Sequence, residues 1–546
     1  MVLREKIDSD PRPTTDITLI EVPTDDGAPR TGGLTFWLVM LTLCVCAFLS
    51  ALELTCVATA LPTIIEDLHG EEFVWAASAY ALACTAFIPL GGDMAEAFGR
   101  PPAMLVALII FALGSALCGS ARSLPWLIGA RTVQGIGGGG LLSVPQIVLA
   151  DLVPLRQRGA YNGLISLTYA IAAAIGPLVG GGLAQAGQWR WLFYLNLPIC
   201  GICGVLVIVF LKLRIPQGSW QVKLSRMDWI GNVLIIGSSS ACSIALTWGG
   251  VVYSWRSFRV LVPLLAGLCG FGTFLLYESR VAKRPIVPFT LLSNRTSLSG
   301  YIQIFVAAII LLVAIYYVPV YYYQACKGAT PLTSGVETLG SSMVIGPFAI
   351  LSGLSVAKTN SYRVQCYLGW GLSIAGFGVM TLLRADSHLA LGVGLPVMVA
   401  SGAGILYTVT DFPVLASLPI SQNARALSFY AFVRSFANAW GVTVGGSIVQ
   451  NELKKRLPDN IPNVVANAGL AYSIVPEIRY LDEPLKTTVR IAFAESLKVT
   501  WQVMIGISAI GLLSCLLMRG IPLNMDVDDS WALEPEGKVE GPDSTP

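Results

Sequence analysis

Three residues inside two apolar runs and one near the end of a third could do proton or ligand chemistry. Glu53 lies in FLSALELTCVATALP, Arg131 and Gln134 in RTVQG, and Asp411 in YTVTDFPVLASLP. A carboxylate in a hydrocarbon environment costs about 3 kcal/mol even on lenient insertion scales, and such groups face a bundle interior or a cavity. Burial favours the neutral acid, whereas a neighbouring guanidinium favours the carboxylate. A Glu53–Arg131 pair sets these two effects against each other and could take up and release a proton. The competing reading is a buried ion pair that only fixes helix packing. Asp411 falls near the end of its run, where solvation at the membrane interface is the first expectation and a second proton site the alternative. In Tyr316-Tyr317-Val318-Pro319-Val320-Tyr321-Tyr322-Tyr323 the rings could stack on a flat substrate or form an interfacial aromatic belt.

The elements that must carry these residues follow from composition. The chain has 546 residues, 54% hydrophobic and 12% charged, against about 25% charged in an ordinary soluble protein. Fourteen stretches between residues 34 and 519 are apolar over the roughly 20 residues that cross a bilayer as a helix. The expected fold class is therefore an all-α integral membrane protein with fourteen transmembrane helices. Short connections predict antiparallel neighbours in one bundle. Arg100, Arg156, Arg158, Lys212, Arg214, Lys223, Arg226, Lys283, Arg284, Lys358, Arg363 and Arg425 fall on the side of the N-terminus. The short loops opposite hold only Arg122, Arg190, Arg256, Arg259, Lys327 and Arg384, so both termini are expected in the cytosol.

Other classes are disfavoured. The net charge is +2 and the basic residues form no stripe, so no nucleic-acid partner is expected. Nearly all of the twelve cysteines lie within apolar runs and read as small hydrophobes, with neither disulfides nor a metal site. Gly135-Ile136-Gly137-Gly138-Gly139-Gly140 formally satisfies GxGxxG, but inside an apolar span such glycines let helix backbones approach. There is no Walker loop, HExxH or GxSxG, and an enzyme is not expected. In YAIAAAIGPLVGGGL, Ala172, Gly176 and Gly180 share one helix face beside Pro177 and Gly181, which suits either static close packing or helices that move against one another.

Taken together, these motifs resemble those of the major facilitator superfamily, in its fourteen-span drug:proton antiporter branch, and in particular fungal exporters of toxins and secondary metabolites. Leu52-Glu53-x-Thr55 with Val57-Ala58-Thr59-Ala60-Leu61-Pro62 is similar to LDxT…VATALP, with glutamate in the aspartate position. Gly92-Asp93-Met94-Ala95-Glu96-Ala97-Phe98-Gly99-Arg100 is similar to the gating motif GxLxDxxGRR, with Glu96 for the aspartate and Pro101 in the second basic position. Arg131, Gln134 and Gly135 match RxxQG, and Gly176, Pro177, Gly180 and Gly181 match the antiporter motif. Trp189-Arg190-Trp191, Phe193-Tyr194-x-Asn196-Leu197-Pro198, Phe432-x-Arg434-Ser435 and Met227-Asp228-Trp229 are similar to further features of that branch.

The resemblance implies two six-helix halves, at 34–212 and 296–520, with two inserted helices in 213–295, a cytosolic tail at 1–33, a long outer connection at 452–498 and an acidic cytosolic tail at 521–546. It implies proton-coupled efflux of amphipathic small molecules by alternating access, with Glu53 and Arg131 at the proton step and a lock between Glu96 and Arg100 at the cytosolic gate. Gln134, Tyr316, Tyr317 and Asp411 are candidates for facing substrate. Expected partners are a small-molecule substrate, protons and the bilayer. The expected state is a monomer in the plasma membrane or, alternatively, the vacuolar membrane, driven by the proton gradient without a cofactor. A proton-driven importer of iron–siderophore complexes or small nutrients is the alternative.

Overall fold

Every apolar stretch named above is helical, as the bilayer core requires of a backbone that must satisfy its own hydrogen bonds. The computed structural model describes residues 33–68, 73–250, 252–287, 292–457, 475 and 477–523. The expected N-terminal tail before Gly33, His69, residues 458–474 and 476 of the outer connection and the acidic tail after Leu523 lie outside the described residues.

The long helices are α1 (Leu34–Leu68), α2 (Phe73–Phe98), α3 (Arg100–Gly119), α4 (Leu124–Leu152), α5 (Leu155–Gln185) and α6 (Trp191–Phe210). There follow α7 (Trp229–Trp248), α8 (Phe258–Arg280), α9 (Arg295–Tyr317), α10 (Pro331–Thr359), α11 (Arg363–Met380), α12 (Leu389–Val409), α13 (Asn423–Arg456) and α14 (Leu485–Ser514). Among the described residues there is no strand, only an isolated bridge between Gly249 and Tyr253. Among the described residues, eleven helices are long and apolar enough to cross a membrane. The remaining three, α2, α11 and α13, are helical over 26, 18 and 34 residues and fit the expected count of fourteen. Of these, α13 is the most polar in sequence, and it packs on α2, α9 and α14.

In the first half α1 packs on α5, α4 is wedged between α2 and α3, and α6 leans on α1 and α3. The glycine run explains the wedge. A Cβ at Gly137 would strike the Phe111 backbone of α3, and one at Gly139 would lie 2.7 Å from the Cys84 carbonyl oxygen of α2. In the second half α9 packs on α13 and α14, while α12 packs on α10 and α11. The inserted helices α7 and α8 pair with each other, and α7 rests on α2 and α13.

The halves meet where α5 crosses α10 and α2 crosses α13. We call the end of the bundle at which α1 starts proximal and the other distal. A Cβ on Gly159 would lie 2.8 Å from the Gly353 Cα, and one on Gly163 2.7 Å from the Ile350 backbone. Arg156 Nε donates to the Ala357 carbonyl at 2.7 Å, Ser428 Oγ to the Ile88 carbonyl at 3.3 Å, and the Thr85 and Ser435 hydroxyls are 2.6 Å apart. The contacts of Arg156, Gly159, Gly163 and Ser428 close the proximal end, and the Thr85–Ser435 contact lies nearer the middle of the bundle.

Replacing Gly353 with valine should destabilise this closed arrangement by about 1–3 kcal/mol through overpacking. The expected outcome is faster maleimide labelling of an Asn162→Cys reporter in a Cys269→Ser background. Unchanged labelling would show that the crossing adjusts without opening.

Candidate functional site

Glu53 is 2% exposed and lies on α1 facing the interior of the first half. Three neighbouring helices supply its surroundings. The Arg131 guanidinium of α4 donates to Glu53 Oε1, and the Asn196 amide of α6 donates to Oε2. Arg131 Nη1 also donates to Gln134 Oε1 at 2.8 Å, and Gln134 Nε2 donates to the Ser115 hydroxyl of α3 at 2.9 Å. The guanidinium carbon sits 4.7 Å from the Tyr80 ring centre and 5.8 Å from that of Phe193. One carboxylate is thus held by an arginine and an amide, and the arginine is sandwiched by rings that favour a cation. Gln134 is fully buried in this network, one helical turn from Arg131. Its side chain reaches Arg131 and Ser115 rather than a cavity.

Asn196 was visible in the sequence only as part of a branch feature. Its signal was an amide at the start of a strongly apolar run, where a partner is needed.

The gating segment departs from the expected lock. Glu96 and Arg100 do not pair with each other. Arg100 is 1% exposed and donates from Nε to Asp151 Oδ2 at 2.8 Å and from Nη1 to the Ala95 carbonyl at 3.0 Å, which ties α2, α3 and α4 together. Glu96 instead receives both Nε, at 2.7 Å, and Nη2 of Arg425 on α13. The cause is helix phase. Gly99 has φ of +98° and turns the chain sharply into α3, so Arg100 points into the first half while Glu96, one turn back on α2, faces the other half. A Cβ on Gly92 would overlap the Ser428 side chain, so this glycine lets α2 and α13 touch. The lock therefore joins the two halves at their proximal end.

Asp411 also differs from expectation. It is 3% exposed, with Oδ2 accepting from Asn162 Nδ2 of α5 at 3.0 Å and Oδ1 without a partner. The turn Phe412–Leu415 packs back into the bundle and carries Asp411 inward, away from interfacial water. Arg158 lies opposite, 3% exposed, with Nη2 on the Ala150 and Val153 carbonyls and with Nε and Nη1 unpartnered. Both residues line a cavity between the halves of about 50 Å³, together with Tyr169, Tyr407, Tyr430 and Arg434. Arg434 stands over the Tyr407 ring at 4.6 Å. The sequence singled Arg434 out only as a branch feature, although an arginine in a helix this central is itself a signal.

The glycine–proline face packs within one half. A Cβ on Gly176 would overlap the Thr55 hydroxyl of α1, Gly180 is buried, and a Cβ on Gly181 would meet nothing within 4 Å. Pro177 lies within the continuous helix α5. The close backbone crossing between the halves is the Gly159–Gly353 contact instead. Tyr317 is buried, with its hydroxyl donating to the Val442 carbonyl at 2.6 Å, so it does not line the cavity. Tyr321, Tyr322 and Tyr323 are buried too and form no interfacial belt, whereas Tyr316 is 39% exposed. The run winds as π-helical turns over Val318–Cys326, which turn its rings inward.

Removing Arg131 leaves Glu53 without its cation. Arg131→Met should lower stability by about 3–5 kcal/mol, and Glu53→Gln combined with Arg131→Met should recover most of that loss. Thermal unfolding of the purified variants checks this, and equal losses in the single and double variants would contradict it.

Relatives of the chain are recognisable by sequence and by fold. The sequence profile of the Major Facilitator Superfamily matches residues 43–442. "Efflux pump FUS6" of Gibberella fujikuroi is 37% identical over 519 residues, covering 93% of each chain. "MFS-type efflux pump MMF1" of Pseudozyma antarctica is 34% identical over 513 residues, covering 92% of this chain and 94% of the other. Among solved structures, the human organic anion transporter MFSD10 superposes with a TM-score of 0.57 at 14% identity, covering 88% of this chain and 99% of that one. The proton:xylose symporter XylE gives 0.55 at 14%, covering 89% and 97%. The two-half bundle, the polar cluster inside the first half and the sequence match over most of the chain lead to one assignment: this chain belongs to the Major Facilitator Superfamily and is a multi-pass membrane transporter.

Proposed function

We propose that this chain is a proton-coupled efflux pump for amphipathic small molecules, with both termini in the cytosol and the plasma membrane as its site of action. Export is supported by relatives named efflux pumps that align over nearly the whole chain. Proton coupling is carried by a single observation, the buried Glu53 carboxylate shared between Arg131 and Asn196. The distribution of Lys and Arg supports the orientation.

In this reading the closed proximal end is the cytosolic gate, held by Glu96–Arg425 and the Gly159–Gly353 crossing. The central cavity is now too small for an organic substrate, since ligand pockets usually span about 300–1,000 Å³. Substrate enters when the proximal ends part. Tyr169, Tyr407 and Tyr430 supply flat apolar faces with hydroxyls, and Arg434 supplies donors, which suits an amphipathic molecule carrying oxygen acceptors. Helix α4 bears Arg131 and Gln134 near Glu53, and Leu141, Leu142 and Gln146 on the cavity wall. A shift of this one helix therefore links the two sites.

The cycle follows from rocking of the two halves about a central site. Open to the outside, Glu53 takes a proton and substrate leaves. Open to the cytosol, Glu53 gives up the proton and substrate binds. Inward proton movement is favourable by about 2.3 kcal/mol per 100 mV, which drives export.

Inside-out vesicles, acidified inside and carrying a lumenal pH dye, test this reading. Candidate amphipathic dyes should alkalinise the lumen with the native protein and not with Glu53→Gln. Alkalinisation that persists in Glu53→Gln would remove Glu53 from the proton step, and substrate movement without any proton flux would overturn antiport.

A further inference from the structure

A second cavity lies at the proximal end, outside the central site and larger, at about 560 Å³. Its walls are α2 with Asp93 and Glu96, the connection between α6 and α7 with Arg214 and Arg226, the segment after α8 with Arg284, and α13 with Arg425. The charges in it do not balance. Glu96 is engaged by Arg425 through both oxygens, and Asp93 Oδ2 is drawn toward α7 by the Asn232 amide at 2.6 Å. Among the described residues, neither Arg226 nor Arg284 has a carboxylate within ion-pair distance. Of the four guanidinium groups lining this space, Arg425 is paired with Glu96 and Arg214 makes an interaction of its own, which leaves those of Arg226 and Arg284 facing a space whose two carboxylates already have partners.

The level of this cavity relative to the bilayer is marked independently. Trp220, 75% exposed, packs against Phe98 at the end of α2 with ring centres 5.3 Å apart, and Trp229, 50% exposed, opens α7. Exposed tryptophans at helix ends mark the headgroup layer. The cavity opens at that depth, where phosphate groups are abundant and where basic pockets between helices bind them. Arginine suits such ligands because its planar fork meets phosphate oxygens two at a time.

We propose that this cavity binds a phosphate-bearing anion through Arg226 and Arg284, and that occupancy stabilises the closed proximal end. One wall of the cavity is the Glu96–Arg425 pair, which exists only while α2 and α13 are together. A ligand that needs this wall prefers the closed conformation and shifts the population toward it. The inserted helices acquire a role in this scheme: they carry two of the arginines to the gate between the halves.

The test uses the full chain in nanodiscs of phosphatidylcholine, with phosphatidylinositol 4-phosphate in the bilayer in one arm and inositol hexakisphosphate in solution in the other. Thermal unfolding and maleimide labelling of Asn162→Cys are read in both. Tm should rise by a few degrees and labelling should slow in at least one arm. Arg226→Gln with Arg284→Gln should weaken the apparent affinity about thirtyfold, while Arg256→Gln with Arg259→Gln at the distal end should leave it unchanged. A response to the lipid alone identifies a headgroup, and a response to the soluble compound alone identifies a free phosphate ligand. The Tm of the Arg226/Arg284 variant in plain phosphatidylcholine reports whether it is folded. No response in either arm, or a response that survives in that folded variant, overturns the proposal.

Discussion

A carboxylate at membrane depth must be neutralised, and the first half of this protein is arranged around that requirement. Glu53 on α1 draws Arg131 from α4 and Asn196 from α6, and through Gln134 it reaches Ser115 on α3. Four helices are thereby fixed in rotation by one charge. Removing either member of such a pair costs far more than the pair contributes, because the remaining charge stays buried. In the proposed cycle, a proton on Glu53 would remove its ion pair with Arg131 and release the helices that the pair ties.

Packing makes that local change consequential. The glycines of α4 bring it within backbone contact of α2 and α3, so α4 has little room to move independently of them. Helix α2 in turn touches the other half through Gly92 on Ser428 and Glu96 on Arg425, so the proposed change would reach that half along it. On the opposite flank, Gly159 against Gly353 forms a crossing without side chains, and Asn162 reaches Asp411. The ion pair at the gate is partly exposed, with side-chain exposures of 33% for Glu96 and 24% for Arg425. It therefore contributes little on its own, about 1 kcal/mol or less. That magnitude would suit a contact that has to break in the proposed cycle.

Much of this was legible in the sequence, for reasons that are local. Span positions follow from apolar runs, and the Glu53–Arg131 pairing follows because few other charges share that depth. The glycine run in α4 declared close packing by composition alone. What was not legible depends on helix rotation and on distant partners. Nothing near Glu96 indicates that its partner is Arg425, 329 positions away, or that Arg100 turns inward to Asp151. Asp411 looked interfacial because its run ends there, yet the following turn folds back into the bundle. The tyrosine run looked like a belt because position along a span was readable and direction around the helix was not, the more so in π-helical turns. Arg434 and Asn196 were in view and were read as family marks rather than as groups that need partners.

The most direct measurement of the central claim is proton release on substrate binding. Purified protein in weakly buffered detergent solution, with a pH indicator present, is mixed with an amphipathic dye that it transports. The predicted result is release of about one proton per dye bound, with tighter binding as pH rises, and no release from a Glu53→Gln variant that still binds the dye. Binding without proton release, or the same release from Glu53→Gln, would contradict the assignment of Glu53 as the group through which substrate and proton exclude each other.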